Sequence, residues 1–435
     1  MQIMTRTRWI ALTWILLCCG LSALWGFSMM RNSPNLMLDF KAVYYSTRCL
    51  LQHHDPYNVS ELDDVYRAEG GERPAETIMA HQAVTININL PTTFICIAPL
   101  AMLPWGTAQV LWTFLGIGGL IFAAFLAWDL GADYAPVISC CLICFVLANT
   151  EIFFPIGNTA EIVVSLCAVA VWCFLKDRLV WAGALCLAIS LAMKPQDAGL
   201  VWLYFLLAGG LNRKRALQTL LVTAILGLAA IVWVTPIAPH WMQERHSNFI
   251  LTSARGGGND PGPTSGNGGG TRLIIDLQSA LAIFLDDPRV YNSVSYLVCG
   301  TLLLIWAVRT LRVRFSPARA WLALATVVPI TMLVTYHRVH DSKLLLLAIP
   351  ACAMLWAGGG LIRWLALLLT FAAIVFTGDI SLTVFDILTK NLHISTAELS
   401  GRLMTVLVTR PTQLALLAMG MFYLGIYLRR EPERG

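Results

Sequence analysis

The 435-residue chain predicts an all-α polytopic membrane protein, built as a single integral membrane domain over residues 1–435. Three observations carry that prediction. Hydrophobic residues make up 57% of the chain and charged ones only 13%, where a soluble domain carries roughly 25% charged residues. Apolar runs of roughly 17–25 residues recur along almost the whole length, the signature of spanning helices rather than barrel strands. The basic residues gather in short connections, where the positive-inside rule wants cytoplasmic loops.

The first run, Trp9 to Met30, follows Arg6 and Arg8 and reads as a retained signal-anchor, since it is too long for a leader and lacks a small-residue cleavage site. Further spans are expected at 106–128, 135–153, 159–175, 180–194, 196–211, 216–236, 291–308, 320–336, 343–360, 361–379 and 411–428, about twelve in all. The segment "INLPTTFICIAPLAMLP" (88–104) is apolar but holds Pro91, Pro99 and Pro104. Interior prolines remove helix bonds, so a shallow or re-entrant piece is expected there. The run from 180 to 211 is too long for one span and is broken at Lys194–Pro195. This parity places Lys176, Arg178, Arg213, Arg309, Arg312, Arg363, Arg429 and Arg430 with Arg6 on the cytoplasmic side. The outer face then receives a long first external loop (31–105), a second, Gly-rich external loop (237–290), the turn "YHRVHDSK" (Tyr336 to Lys343) and loop 380–410. "GGGNDPGPTSGNGGG" (Gly256 to Gly270) cannot pack a core and reads as a flexible linker, with a flap as the other reading.

Several function classes are excluded or demoted. The net charge of +5 is small and reads as topology and membrane-lipid headgroup contact, not a nucleic-acid footprint. Eleven of the twelve cysteines fall in apolar segments, all but Cys49, so neither a disulfide framework nor a zinc site is expected, and Cys141-x-x-Cys144 reads as small hydrophobes. The two histidines of "HRVHD" do not make a known metal spacing. No metal or cofactor is expected. Walker-type, dinucleotide and serine-elbow motifs are missing from the chain.

Ionisable residues at a membrane boundary cost energy and tend to mark function. Asp39 lies just beyond the first span, with Lys41, Tyr44 and Tyr45 after it. It reads equally as a helix N-cap and as a general base whose proton affinity an apolar boundary would raise. Lys194 ends a short apolar half-helix before Pro195 and suits a phosphate, against the alternative of a snorkelling boundary lysine. His337, Arg338, His340, Asp341 and Lys343 crowd one turn that can bind an anion and shuttle a proton. Asn158 and Glu161 open a helix, where capping by Asn158 is the default explanation.

The order of these features resembles the polyprenyl-phosphate-mannose-dependent mannosyltransferases of glycosyltransferase family 87, in the multispanning GT-C superfamily. An aspartate after the first span, the tyrosine pair, "DPY" and "NLPTTFICIAPLAMLPWGTAQVLW" come first; "GN" at a helix start, "AGALCLAISLAMKPQ" and a His-bearing turn before "LLLLAIP" follow. The likeness covers about 9 to 360 and implies a GT-C-like bundle in the inner (plasma) membrane with an extracytoplasmic active site. It implies a polyprenyl-phosphate-linked sugar donor, a lipid or glycan acceptor, and transfer of a hexose, mannose by family default, with inversion. Asp39 occupies the family's acid position, Lys194 its lysine position, and either His337 or His340 its histidine. Arg338 and the histidines would join Lys194 on the donor phosphate; Lys41, Tyr44, Tyr45, Asn158 and Asp341 would contact substrate. The family's "YPP" is here Asn89-Leu90-Pro91, and its glycine–glutamine pair is Gly157-Asn158; these departures bear on the sugar rather than the reaction type. The rival reading is a transporter or flippase for a lipid or polar solute, which broken helices and buried charge also suit.

Overall fold

The computed structural model describes residues 6–32, 37–71, 77–149, 156–262, 273–378, 384, 387 and 398–429. Arg430, the 150–155 turn, residues 263–270 of the Gly-rich stretch and most of 379–397 lie outside them. Among the described residues the regular structure is helical, apart from one isolated bridge between Ile274 and Arg338.

Seven of the described helices, not twelve, are long and apolar enough to cross a membrane: Arg6–Ser28, Trp105–Gly131, Gly210–Val234, Pro288–Arg312, Pro317–Val334, Val339–Ala357 and Pro411–Arg429. The chain is thus a polytopic membrane protein. Expected spans such as Pro136–Ala148, Ala160–Leu175, Val180–Met193 and Gly360–Phe376 form shorter apolar helices. At 1.5 Å per residue a 14-residue helix such as Val180–Met193 reaches only about 21 Å, short of a roughly 30 Å hydrocarbon layer. Loop 380–410 departs from expectation as well, because Leu399–Thr409 is helical.

Segment 31–105, expected to form the first external loop, is mostly structured among its described residues. It carries helices Leu38–Leu51, Val59–Ala68, Ile78–Thr85 and Pro91–Ala101. Two of the three prolines of 88–104 sit where they cost little: Pro91 in the first turn, where its missing N–H costs nothing, and Pro104 before the next helix, while Pro99 lies inside the Pro91–Ala101 helix. This short helix packs on Leu38–Leu51 and on Gly210–Val234. Its Thr92 hydroxyl donates to the carbonyl of Ala192 and its Thr93 hydroxyl to that of Met193, 3.3 Å away. Those are terminal carbonyls of the Val180–Met193 helix, and Pro195 cannot donate back to the chain. A helix end buried without partners would be costly, and the two threonines supply them. The break at Lys194 is thereby held in one conformation.

At the centre lies the segment Val339–Ala357, a 3-10 helix to Ala348 and an α-helix after it. It packs against Ala160–Leu175, Pro317–Val334, Trp105–Gly131, Pro136–Ala148 and Gly360–Phe376. Ile275 N–H donates to the His337 carbonyl at 2.9 Å, tying the 237–290 segment to the entrance of this segment.

Candidate functional site: a buried charge cluster around Asn158

Asp39 stands in the first turn of Leu38–Leu51, but Met37 takes the N-cap position with no side-chain cap bond. The capping reading is therefore replaced. Half-buried, the Asp39 carboxylate points across to another helix start, where its Oδ2 accepts from Asn158 Nδ2 at 2.5 Å. Thr159 takes the N-cap position of that helix without a side-chain bond, and Asn158, one residue earlier, accepts the Ala160 N–H through its Oδ1 at 2.9 Å. The same Oδ1 also accepts from Lys194 Nζ at 3.3 Å. One amide thus links the carboxylate of the first loop to the lysine at the broken helix. Gly157 makes the approach possible. Its φ is +63°, and a Cβ there would lie 3.0 Å from the Met37 side chain and 3.1 Å from Phe40 Cβ.

Lys194 is buried and doubly paired, in contact with Asp341 and 3.4 Å from Asp197 Oδ2. Asp197 falls in the first turn after Pro195. Asp341 accepts the Arg338 backbone N–H at 2.8 Å through its other oxygen, and His340 Nε2 lies 3.5 Å from Asp341 Oδ1. His337 closes the ring: Nε2 is 3.0 Å from Asp197 Oδ1, and Nδ1 is 2.9 Å from the Thr335 carbonyl. Burial opposes the imidazolium, but Asp197 and then Asp341 outweigh it, so the His337 pKa lies above its ordinary value. The Arg338 guanidinium faces the other way. It donates to the Gly258 carbonyl at 2.7 Å, approaches Asn259 Oδ1 at 3.3 Å, and lies over the Tyr336 ring. The described part of the Gly-rich stretch is therefore docked on the site's rim.

The structure brings together Asp39, Asn158, Lys194, His337, His340 and Asp341, six residues named from sequence, with the Arg338 backbone. It leaves Lys41, Tyr44, Tyr45 and Lys343 apart. Lys41 lies two positions beyond Asp39, hence on the other side of the helix, buried against Tyr66 and the Gly71 carbonyl. Tyr44 donates to the Leu103 carbonyl at 2.6 Å. With Tyr45, Arg48, Glu69, Leu103 and Trp105 it lines a cavity of about 420 Å³ whose walls do not include Asp39. Lys343 reaches the Asn149 carbonyl instead of the cluster.

Sequence reading underrated two acids. Asp197 is a full member of the cluster; its signal was its position in the first turn after a lysine–proline break. Glu161 is buried beneath Asn158, where Gly116 leaves it room: a Cβ on Gly116 would lie 2.6 Å from Glu161 Oε2.

Chemically, the cluster sets a carboxylate and a lysine on either end of one amide, with imidazoles behind. That arrangement can take a proton from one substrate and hold an anion on another. No protein-family model matches the chain, and no curated protein sequence matches it significantly.

Proposed function

We propose that the chain is an inverting membrane hexosyltransferase. It moves a sugar, mannose first, from a polyprenyl-phosphate donor to an acceptor hydroxyl at the outer face of the cytoplasmic membrane. The observation that supports this reading best is the shared amide of Asn158, which holds Asp39 and Lys194 as neighbours. Glycosyl transfer from a lipid phosphate needs that pair. A base must remove the acceptor proton as its oxygen attacks the anomeric carbon, and a fixed cation must meet the charge that gathers on the departing phosphate. Asp39 is the base. Lys194, with a protonated His337, answers the phosphate, and Arg338 joins them once its guanidinium releases Gly258. Asp341 and Asn158 orient these groups. Displacement from the face opposite the leaving group needs no covalent intermediate, so the anomeric configuration inverts.

The test is an assay of the purified chain in lipid with a panel of polyprenyl-phosphate sugars, reading product mass and anomeric configuration. Asp39→Asn should lower turnover by about 10²–10⁴-fold, the range of a single general base, with thermal unfolding unchanged. Lys194→Ala should weaken use of donor more than use of acceptor. Wild-type turnover in Asp39→Asn ends the proposal. So does transport of labelled solute into sealed vesicles with no new glycosidic bond, the outcome a transporter would give.

A further inference from the structure

We infer that Asp197, His337 and Asp341 form a binding site for a divalent first-row cation, Mn²⁺ or Zn²⁺, separate from the Asp39–Asn158 pair. Each residue offers one ligand atom, and these atoms all lie within 4.8 Å of one another. Ligands about 2.0–2.2 Å from one ion are separated by somewhat less, so small side-chain rotations complete the cage. All three side chains are more than nine-tenths buried.

Orientation is the independent argument. The Thr335 carbonyl lies 2.9 Å from His337 Nδ1, which keeps a proton on Nδ1 and makes Nε2, the nitrogen facing Asp197, the atom whose proton a cation would displace. Metal-bound histidines are commonly fixed in this way by a backbone carbonyl. Nε2 lies 3.0 Å from Asp197 Oδ1, yet the two are not aligned as a hydrogen bond, and among the described residues neither oxygen of Asp197 accepts one. Asp341 is aimed by its other oxygen, which the Arg338 backbone N–H holds at 2.8 Å. Two carboxylates and an imidazole are the donor set that mid-series divalent ions accept, and three protein ligands leave coordination positions for water or a phosphate oxygen.

Charge points the same way. Asp39, Asp197 and Asp341 gather around one fixed cation, Lys194, and the titratable His337, while the Arg338 guanidinium turns outward to Gly258. Lys194 is the metal's competitor, because its ammonium touches Asp341 and approaches Asp197. Asn158 Oδ1, already 3.3 Å from Nζ, keeps it once a cation takes the carboxylates.

The site is tested without substrate, so its failure and failure of the transferase reading are distinct. The full-length chain in lipid nanodiscs is stripped with chelator and titrated with Mn²⁺ by electron paramagnetic resonance, with Zn²⁺ as competitor. The expected result is one Mn²⁺ per chain, displaced by Zn²⁺, with imidazole-nitrogen modulation in the pulsed spectrum. Asp197→Asn and His337→Gln should each weaken binding by more than about tenfold, the second also removing the nitrogen signal. Lys194→Met, which deletes the competing ammonium, should tighten binding. Should the variants fail to fold, the wild-type nitrogen modulation decides. No stoichiometric Mn²⁺, or bound Mn²⁺ without nitrogen modulation, overturns the site and leaves His337 and Asp197 as a closed pair.

Discussion

Two spans of this protein read alike as sequence and live in opposite surroundings. Gly210–Val234 is the more apolar of the two, yet only 17% of its most apolar window is buried inside the protein; for Val339–Ala357 the share is 94%. In a soluble protein the order would be reversed. Here the first helix turns leucines such as Leu221 and Leu228 outward, as a lipid-facing surface should, because hydrocarbon solvates them as well as a core does. The second carries His340, Asp341 and Lys343, and charges of that kind are affordable only where other protein groups answer them. Hydropathy therefore marks what meets lipid, and the less apolar helix marks where chemistry is housed.

The contrast breaks first at Asp341. Asp341→Ala leaves Lys194 without its nearest carboxylate, and removing one partner of a buried ion pair costs about 3–5 kcal/mol. Thermal unfolding in detergent should register it, and an unchanged midpoint would mean that water reaches the cluster freely.

Asp276 gives the next largest effect, through pH. It lies outside the spans, accepts the Ser279 N–H at 2.9 Å, and burial lifts its pKa to about 6 against the opposing pull of that bond, His337 and Arg410. The native state thus holds a proton that the unfolded chain has lost. Its stabilising contribution is complete below pH ~4, the ordinary aspartate value, and fades as pH rises through about 6. A shift of that size is worth roughly 3 kcal/mol at most. Asp276→Asn should flatten the fall in stability between about pH 4 and about pH 6; an undiminished slope would assign it to other groups.

Gly157→Ala comes third. A side chain at φ +63° pressed on Met37 and Phe40 should cost about 1–3 kcal/mol. It should also loosen the Asp39–Asn158 contact, so that activity falls more than stability does. Equal losses would make Gly157 a packing residue only. Smallest of all is Leu221→Ala on the exposed helix face, expected within about 0.5 kcal/mol. A larger loss would show that Gly210–Val234 meets another protein surface rather than lipid.

Much of the site was legible one residue at a time. An aspartate just past the first span, a lysine before a proline, an asparagine after a glycine and a turn dense with histidine and charge each broke a local expectation of apolar or bland sequence. Asp197 and Glu161 were harder to see, since a lone acid in a helix's first turn is ordinary. The cap-or-base question at Asp39 had no sequence answer either, because both readings put the same residue at the same helix start.

Composition and the spacing of apolar runs alone determined that this chain is a bundle of membrane helices, since the bilayer demands internally bonded, apolar segments of a given length. Local backbone chemistry likewise determined the break before Pro195. Tertiary structure decided which helices are lined by protein, that Asn158 bridges Asp39 to Lys194, and that Asp197 joins His337 and Asp341. Those pairings run between residues more than 100 positions apart in several cases, and long-range electrostatic partners leave no periodic trace in a sequence. Only the packed chain, which must satisfy every buried charge at once, selects among them.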